Sequence, residues 1–182
     1  MKLSTEILKK LDSIVDACVI QGILYFIIHY VGVANANTTG KQISYYHKVV
    51  LGWRRDGYHL FLNDDGLIED LEPIGVRVNG CLRTGYGSNS NEEYIGVKAF
   101  HICFETTKGY TMNELQELVL MTLSKKLIEK IPNIRIGGHR EFPDLTSWNK
   151  RQQTLCPGYS VEHQLERFGI KDNNIFYRWW KP

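Results

Sequence analysis

The order of elements along this chain predicts an α/β domain. Amphipathic stretches with helical spacing alternate with short β-branched and aromatic runs. The chain has 182 residues, 43% of them apolar, enough for one ordinary hydrophobic core. No internal repeat, low-complexity tract or linker rich in Pro, Gly or Ser divides it, so a single domain over 1–182 is expected.

Each element has its own signal. Leu3, Ile7, Leu11, Ile14 and Val15 recur at helical spacing and open the domain with an amphipathic helix. Ile23 to Tyr30 has the composition of a central strand and closes at His29-Tyr30, before a loop containing Gly32, Asn35 and Asn37. Thr39 followed three residues later by Gln42 is a capping box for a second helix, with Ile43, Tyr46, Val50 and Leu51 as its apolar face and Gly52 as its stop. Tyr58 to Leu62 and Leu67 to Glu69 flank Asn63-Asp64-Asp65-Gly66, whose glycine can take the positive φ of a hairpin connection.

Gly80 to Glu93, rich in Gly, Ser and Asn, reads as a long surface loop of the kind that walls a binding groove. Tyr94 to Phe104 returns to strand composition. Thr111-Met112-Asn113-Glu114 is read as a second capping box, leading the longest helical stripe: Leu115, Leu118, Val119, Thr122, Leu123 and Leu127, ended by Pro132. Ile134 to Ile136 forms a short strand running into Gly137-Gly138-His139. Ser160 caps a last helix that Gly169 terminates. The tail with Trp179-Trp180 carries no assignment.

Bulk charge excludes little but points away from polyanions. Lys plus Arg number 22 against 20 for Asp plus Glu, and a net charge of +2 gives no reason to expect nucleic acid or an anionic membrane as partner. Cys18, Cys81, Cys103 and Cys156 are widely spaced and form no C-x-x-C pair, so they are read as reduced thiols. Cys18 to Ala36 imitates a signal peptide ending in Ala34-Asn35-Ala36. The mixed-charge amphipathic stretch Lys2 to Asp16 precedes it, however, where a secretory signal would place a short basic segment. Gln21, Gly22 and His29 interrupt the run, which argues against a membrane span of ~20 clean apolar residues.

Three residues have the chemistry of a catalytic zinc site: His29 at a strand end, His139 after two glycines, and Cys156 before Pro157-Gly158. Two neutral imidazoles and a thiolate suit this borderline-soft ion and leave a fourth position open. The spacing alone leaves the question open, since His29 and His139 lie 110 positions apart and Cys156 a further 17. Two loop histidines and a buried thiol would look the same.

The sequence resembles the zinc amidases shared by amidase-type phage lysozymes, bacterial autolysins and animal peptidoglycan recognition proteins. The matching pieces occur in family order: Ile27-Ile28-His29-Tyr30; His47-Lys48, Gly52-Trp53 and Gly57-Tyr58-His59 with Asp65-Gly66; Gly138-His139-Arg140; and Thr154-Leu155-Cys156-Pro157-Gly158. The resemblance implies a mixed central sheet flanked by helices, with the zinc site in a surface groove at strand ends. It also implies hydrolysis of the amide between N-acetylmuramic acid and L-alanine in peptidoglycan, as in cell-wall lysis by an endolysin. The alternative within the same family is a noncatalytic peptidoglycan-binding module.

Carried over residue by residue, the resemblance makes His29, His139 and Cys156 the Zn²⁺ ligands, with Tyr58 and Thr154 as catalytic hydrogen-bonding partners of the attacking water or oxyanion. Taken without it, Tyr58 is equally a hairpin tyrosine packed on the core. His47 and His59 are read as structural or substrate-lining. Arg77 to Leu82 lacks a histidine common in the family, and Glu105 is read as an ordinary exposed or paired carboxylate. Pro143 to Gln153, with Trp148, Lys150 and Arg151, either touches the glycan or covers the fold, and the cover is the favoured reading. The expected partner is a muropeptide, the expected state a monomer, and the expected route synthesis in the cytoplasm followed by action on the cell wall after release.

Overall fold

A computed structural model describes residues 1–32, 38–79, 95–106, 111–141 and 156–175. The expected loop Gly80–Glu93, the insertion 143–153, Thr154 and Trp179-Trp180 lie outside the described residues. The chain runs α1 (Thr5–Ile20), β1 (Tyr25–Tyr30), α2 (Gly40–Tyr45), β2 (Leu60–Leu62), β3 (Ile68–Asp70), α3 (Ile95–Lys98), β4 (Ala99–Phe104), α4 (Glu114–Lys130), β5 (Arg135–Gly138) and α5 (Val161–Arg167). The strands form one mixed sheet in the order β3-β2-β4-β1-β5, bearing out the expected α/β class. Only the hairpin strand β3 runs antiparallel to its neighbour.

Strand side chains alternate between faces, and the register assigns each one. Ile27 pairs with both His101 and Gly137, His29 with Cys103, and Phe61 with Cys103, so these odd-numbered residues share one face. Phe26, Ile28, Leu60, Leu62, Phe100, Ile102, Phe104 and Ile136 turn to the other. There they meet Leu11, Ile14, Val15 and Cys18 of α1, Val119, Leu120, Leu123 and Leu127 of α4, and Val161 and Leu165 of α5 in the main core. The odd face carries a much smaller apolar cluster of Ile43, Phe61 and Cys103, with Tyr58 packed against it. The chemistry-bearing side chains occupy the rest of that face.

Local signals hold α1 and α2 as expected: the Ser4 hydroxyl accepts from Ile7 N–H, and Thr39 and Gln42 form the reciprocal capping box. Of the assigned apolar face of the second helix only Ile43 is buried, however. α2 gives way to a π-helical turn over Tyr46–Val50, closed by Leu51 N–H donating to the Tyr46 carbonyl, and this wider turn brings His47 inward. Tyr46, Val50 and Leu51 are left exposed. His47 is what the packing selects: it stacks on Trp53 and accepts a hydrogen bond from Gly57 N–H at 3.1 Å.

Two other expectations shift. Residues 95–98 form a helical turn rather than strand, because the pairing with β1 begins at Tyr25 and Ala99 and they have no ladder to join. The second capping box lies two residues later than assigned: Asn113 is the cap and Gln116 its reciprocal partner. Asn113 Nδ2 also donates to the Asp64 carbonyl at 2.6 Å, which ties the start of α4 to the hairpin. Gly66 takes the positive φ expected at that hairpin. Among the described residues no helix is long and apolar enough to cross a membrane.

Because Asn113 both caps α4 and holds the hairpin, Asn113→Ala should cost about 1 kcal/mol or somewhat more of folding stability. Urea denaturation of the two proteins, compared at equal m value, measures it.

Candidate metal centre

β1, β4 and β5 run parallel, so their carboxyl ends lie together, and the site forms there. His29 is the fifth of the six residues of β1. His139 follows the last residue of β5, and its N–H donates to the Ile28 carbonyl at 3.1 Å, continuing the ladder by one bond. Cys156 arrives from a separate turn, and Arg140 N–H fastens it by donating to the Cys156 carbonyl at 2.7 Å. Residues far apart in sequence thereby converge.

Ligand atoms of His29, His139 and Cys156 all lie within 4.8 Å of one another. His29 and Cys156 are buried and His139 is half-buried. His29 Nδ1 faces Cys156 Sγ at 3.6 Å, and the His29 and His139 rings are 4.8 Å apart between centroids. Two imidazoles and a thiol gathered this closely match the donor chemistry of zinc. Burial pushes the Cys156 thiol up to about 12, partly opposed by a hydrogen bond from the Tyr30 backbone. A divalent cation beside it would reverse that preference and favour the thiolate.

The close approach of the two turns depends on a residue without a side chain. A Cβ at Gly138 would fall 2.5 Å from Pro157 Cδ and 2.9 Å from Val161 Cγ2, both too near for a real contact. Glu141, buried beneath the same turn, accepts from Gly138 N–H and from Val161 N–H. Its desolvation raises the carboxyl pKa to about 7 despite those hydrogen bonds. Glu141 therefore binds the end of β5 to the start of α5.

Tyr58 stands at the edge of the site, its ring 4.9 Å from that of His29, and its phenol is hydrogen-bonded to the Cys103 thiol. His47 and His59 do not join the ligand group. His47 Nδ1 accepts from Gly57, so it carries no proton, and its 3.4 Å approach to Asp56 is not an ion pair. Asp56 instead binds Lys48 Nζ at 2.8 Å and the Ser44 hydroxyl at 2.9 Å. His59 accepts from His101 N–H and approaches the Val76 carbonyl with its other nitrogen at 2.9 Å. Both histidines are structural, one of the two roles expected for them.

Glu105 is paired, as one of its two readings had it, and is buried rather than exposed. Its carboxylate accepts from Thr38 N–H at 2.6 Å and Asp64 N–H at 3.2 Å. A cavity of about 600 Å³ is lined by Arg54, Arg55, Val76, Arg77 and Asn79, among others.

Solved structures place this architecture. N-acetylmuramoyl-L-alanine amidase LysC from Clostridium intestinale URNW matches with a TM-score of 0.58 and 23% identity, over 82% of this chain and 87% of that one. Drosophila PGRP-LB matches with a TM-score of 0.57 and 18% identity, over 79% of each chain. Human PGRP-IBETAC, solved in complex with glycosamyl muramyl pentapeptide, matches with a TM-score of 0.58 and 17% identity, over 85% of each chain. The fold is that of the amidases and peptidoglycan recognition proteins. No protein-family model and no curated protein matches the chain.

On this amidase-like fold, sequence reasoning missed a close neighbour of the candidate site. His101 Nδ1 lies 3.0 Å from His29 Nε2 in a buried contact. Its signal was the alternation His101, Cys103 on β4, which becomes informative only when the strand is set beside Ile27 and His29 of β1.

Burial lowers the pKa of His29, His47, His59 and His101, that of His59 to about 4. A histidine held neutral in the folded state contributes stability that is complete above its unfolded pKa of about 6.5 and is lost as pH falls toward the folded value. Glu141 opposes the trend, since its raised pKa favours the folded state as pH falls from 7 toward 4.5. To isolate one histidine, metal-free wild type should be compared with His59→Gln. Between pH 7 and pH 4 the wild type should lose about 3 kcal/mol more unfolding free energy than the variant. Denaturant titrations at both pH values test this.

Proposed function

We propose that this chain is a zinc-dependent N-acetylmuramoyl-L-alanine amidase acting on bacterial peptidoglycan. The observation that carries the reading is the convergence of His29, His139 and Cys156 within 4.8 Å, at strand ends of a fold shared with LysC. Their donor set would hold zinc and leave a coordination position for water or substrate. When bound, zinc would lower the pKa of a water and polarise the scissile carbonyl, the two requirements for hydrolysing an inert amide.

The protein's own groups would do the rest. Tyr58 stands beside His29 with its phenol on the Cys103 thiol, a weak acceptor that a developing oxyanion could displace. A phenol donating to that oxygen would stabilise charge where water is partly excluded and each hydrogen bond counts for more. We assign the Thr154 hydroxyl as a second donor. The apolar packing of Phe61, Cys103 and Ile43 behind Tyr58 limits its movement, so the phenol is held in place before reaction.

A noncatalytic peptidoglycan-binding module is the rival, since PGRP-IBETAC was solved holding a muramyl pentapeptide. The full ligand set favours catalysis, because binding alone does not need a buried thiol beside two imidazoles.

Purified peptidoglycan digested with zinc-loaded protein should show new L-alanine amino termini by mass spectrometry and no new reducing sugars. A chelator should abolish this, and Cys156→Ala should lose metal and activity together. Intact peptidoglycan that retains the protein would establish the binding module instead, and new reducing sugars would place the cut at a different bond. Tyr58→Phe should remain folded and metal-loaded while turnover falls about 100-fold or more, the usual effect of removing one oxyanion donor. Unchanged turnover would make Tyr58 structural.

A further inference from the structure

We propose that His101 is a positioning residue for the metal centre: its Nδ1 accepts the hydrogen on His29 Nε2 and so holds His29 in the tautomer whose bare Nδ1 faces Cys156. The proposal rests on the reading of His29 as a metal ligand. It does not depend on amide hydrolysis.

The geometry leaves two arrangements for this pair. His29 Nε2 and His101 Nδ1 are 3.0 Å apart, and a hydrogen bond between neutral imidazoles needs one donor and one acceptor. If His101 donated, His29 Nε2 would be bare and its hydrogen would sit on Nδ1, the nitrogen 3.6 Å from Cys156 Sγ. Such a ring could not ligate an ion in that direction. If His29 donates, Nδ1 carries no hydrogen and its lone pair is directed toward Cys156. Only this second arrangement is compatible with the ligand group.

His101 is well placed to impose that choice. The two side chains share the odd face of the sheet, and His101 pairs across the ladder with Ile27, two residues before His29. Their rings are 5.3 Å apart and 23° from parallel. The two residues are only 1% and 2% exposed, so bulk water does not readily take over the acceptor's role. His101 is itself fixed through its backbone N–H, which donates to His59 Nδ1 while His59 Nε2 donates to the Val76 carbonyl. These contacts hold His101 on its strand with its ring Nδ1 directed at His29 Nε2. A hydrogen-bond acceptor on the non-ligating nitrogen is how proteins orient metal-binding histidines, and its loss typically costs about 10–100-fold in metal affinity.

The test uses the full chain with two variants and two readouts. Asn places an amide oxygen near the position of a histidine Nδ1, whereas Leu offers no acceptor. In metal-free wild type, ¹⁵N shifts should show His29 with a bare Nδ1 and a protonated Nε2, and zinc should not change the pattern of protonation on Nε2. In chelator competition, His101→Leu should bind Zn²⁺ about 10–100-fold more weakly, and His101→Asn should recover to within a few-fold of wild type. A cobalt–thiolate absorption band in both variants would confirm that Cys156 still ligates and the site is folded. The proposal is overturned if His29 binds zinc through Nε2, or if His101→Leu binds zinc as tightly as wild type with the same His29 tautomer. Either result can occur in a protein that still cleaves peptidoglycan, and failure to cleave leaves the tautomer and affinity measurements decisive for His101.

Discussion

The site depends on the parallel register of β1 between β4 and β5. Strand side chains alternate with a period of two, so a slip of one residue on β1 would turn His29 into the main core and bring Ile28 to the candidate site. Register is held by the opposite face. Phe26 stacks on Phe100 with centroids 5.0 Å apart, and Ile28, Ile102 and Phe104 are packed beneath α1 and α4. Burying those side chains favours one alignment strongly, since each is worth about 1.5–3 kcal/mol on transfer from water. The apolar face therefore fixes the coordinates of the polar one.

The third residue of the candidate site comes by a different device. Strand pairing can position His29 and His139, which lie at adjacent ladder ends, but Cys156 belongs to no strand. Its turn is held by the hydrogen bond from Arg140 and by close packing of Pro157 on Gly138. Glu141 supplies an acceptor for two backbone N–H groups that the crowded turn would otherwise leave buried. The same contacts seat the start of α5, because Val161 N–H donates to Glu141 and the Val161 side chain packs on Gly138.

Much of this was legible in the sequence because the signals are local. The cap at Thr39, the hairpin glycine Gly66 and the cap at Ser160 each report on a few neighbouring residues and formed as expected, whereas the expected stripe of α4 is buried only at Val119, Leu123 and Leu127, with Leu120 in place of Leu115, Leu118 and Thr122. Misreadings arose where tertiary contacts decide. Tyr46, Val50 and Leu51 fit an apolar helical face, but the fit of His47 against Trp53 and Gly57 imposes a π turn that exposes them. The α4 cap moved to Asn113 because the hairpin carbonyl of Asp64 recruits that side chain. His101 escaped notice for the same reason: its partner is 72 positions away, and only strand order brings the two together. The grouping of His29, His139 and Cys156 was expected from the family resemblance, whereas their spacing alone was mute.

The electrostatics of the centre follow from what was buried there. Burial holds His29 and His101 neutral, and raises the pKa of the thiols of Cys103 and Cys156. Before a cation arrives the site thus has little charge to keep out of water, which lets it form on the face of a packed sheet without a compensating ion pair. Ligating a divalent cation requires the Cys156 proton to leave, leaving the ligand set with one net negative charge against two positive. The surplus of one positive charge, in surroundings of low dielectric, would suit the proposed hydrolysis, in which an oxygen gains negative charge. A carboxylate in place of His101 would orient His29 equally well but would cancel that surplus. A neutral acceptor orients the ligand while preserving the attraction for an oxyanion.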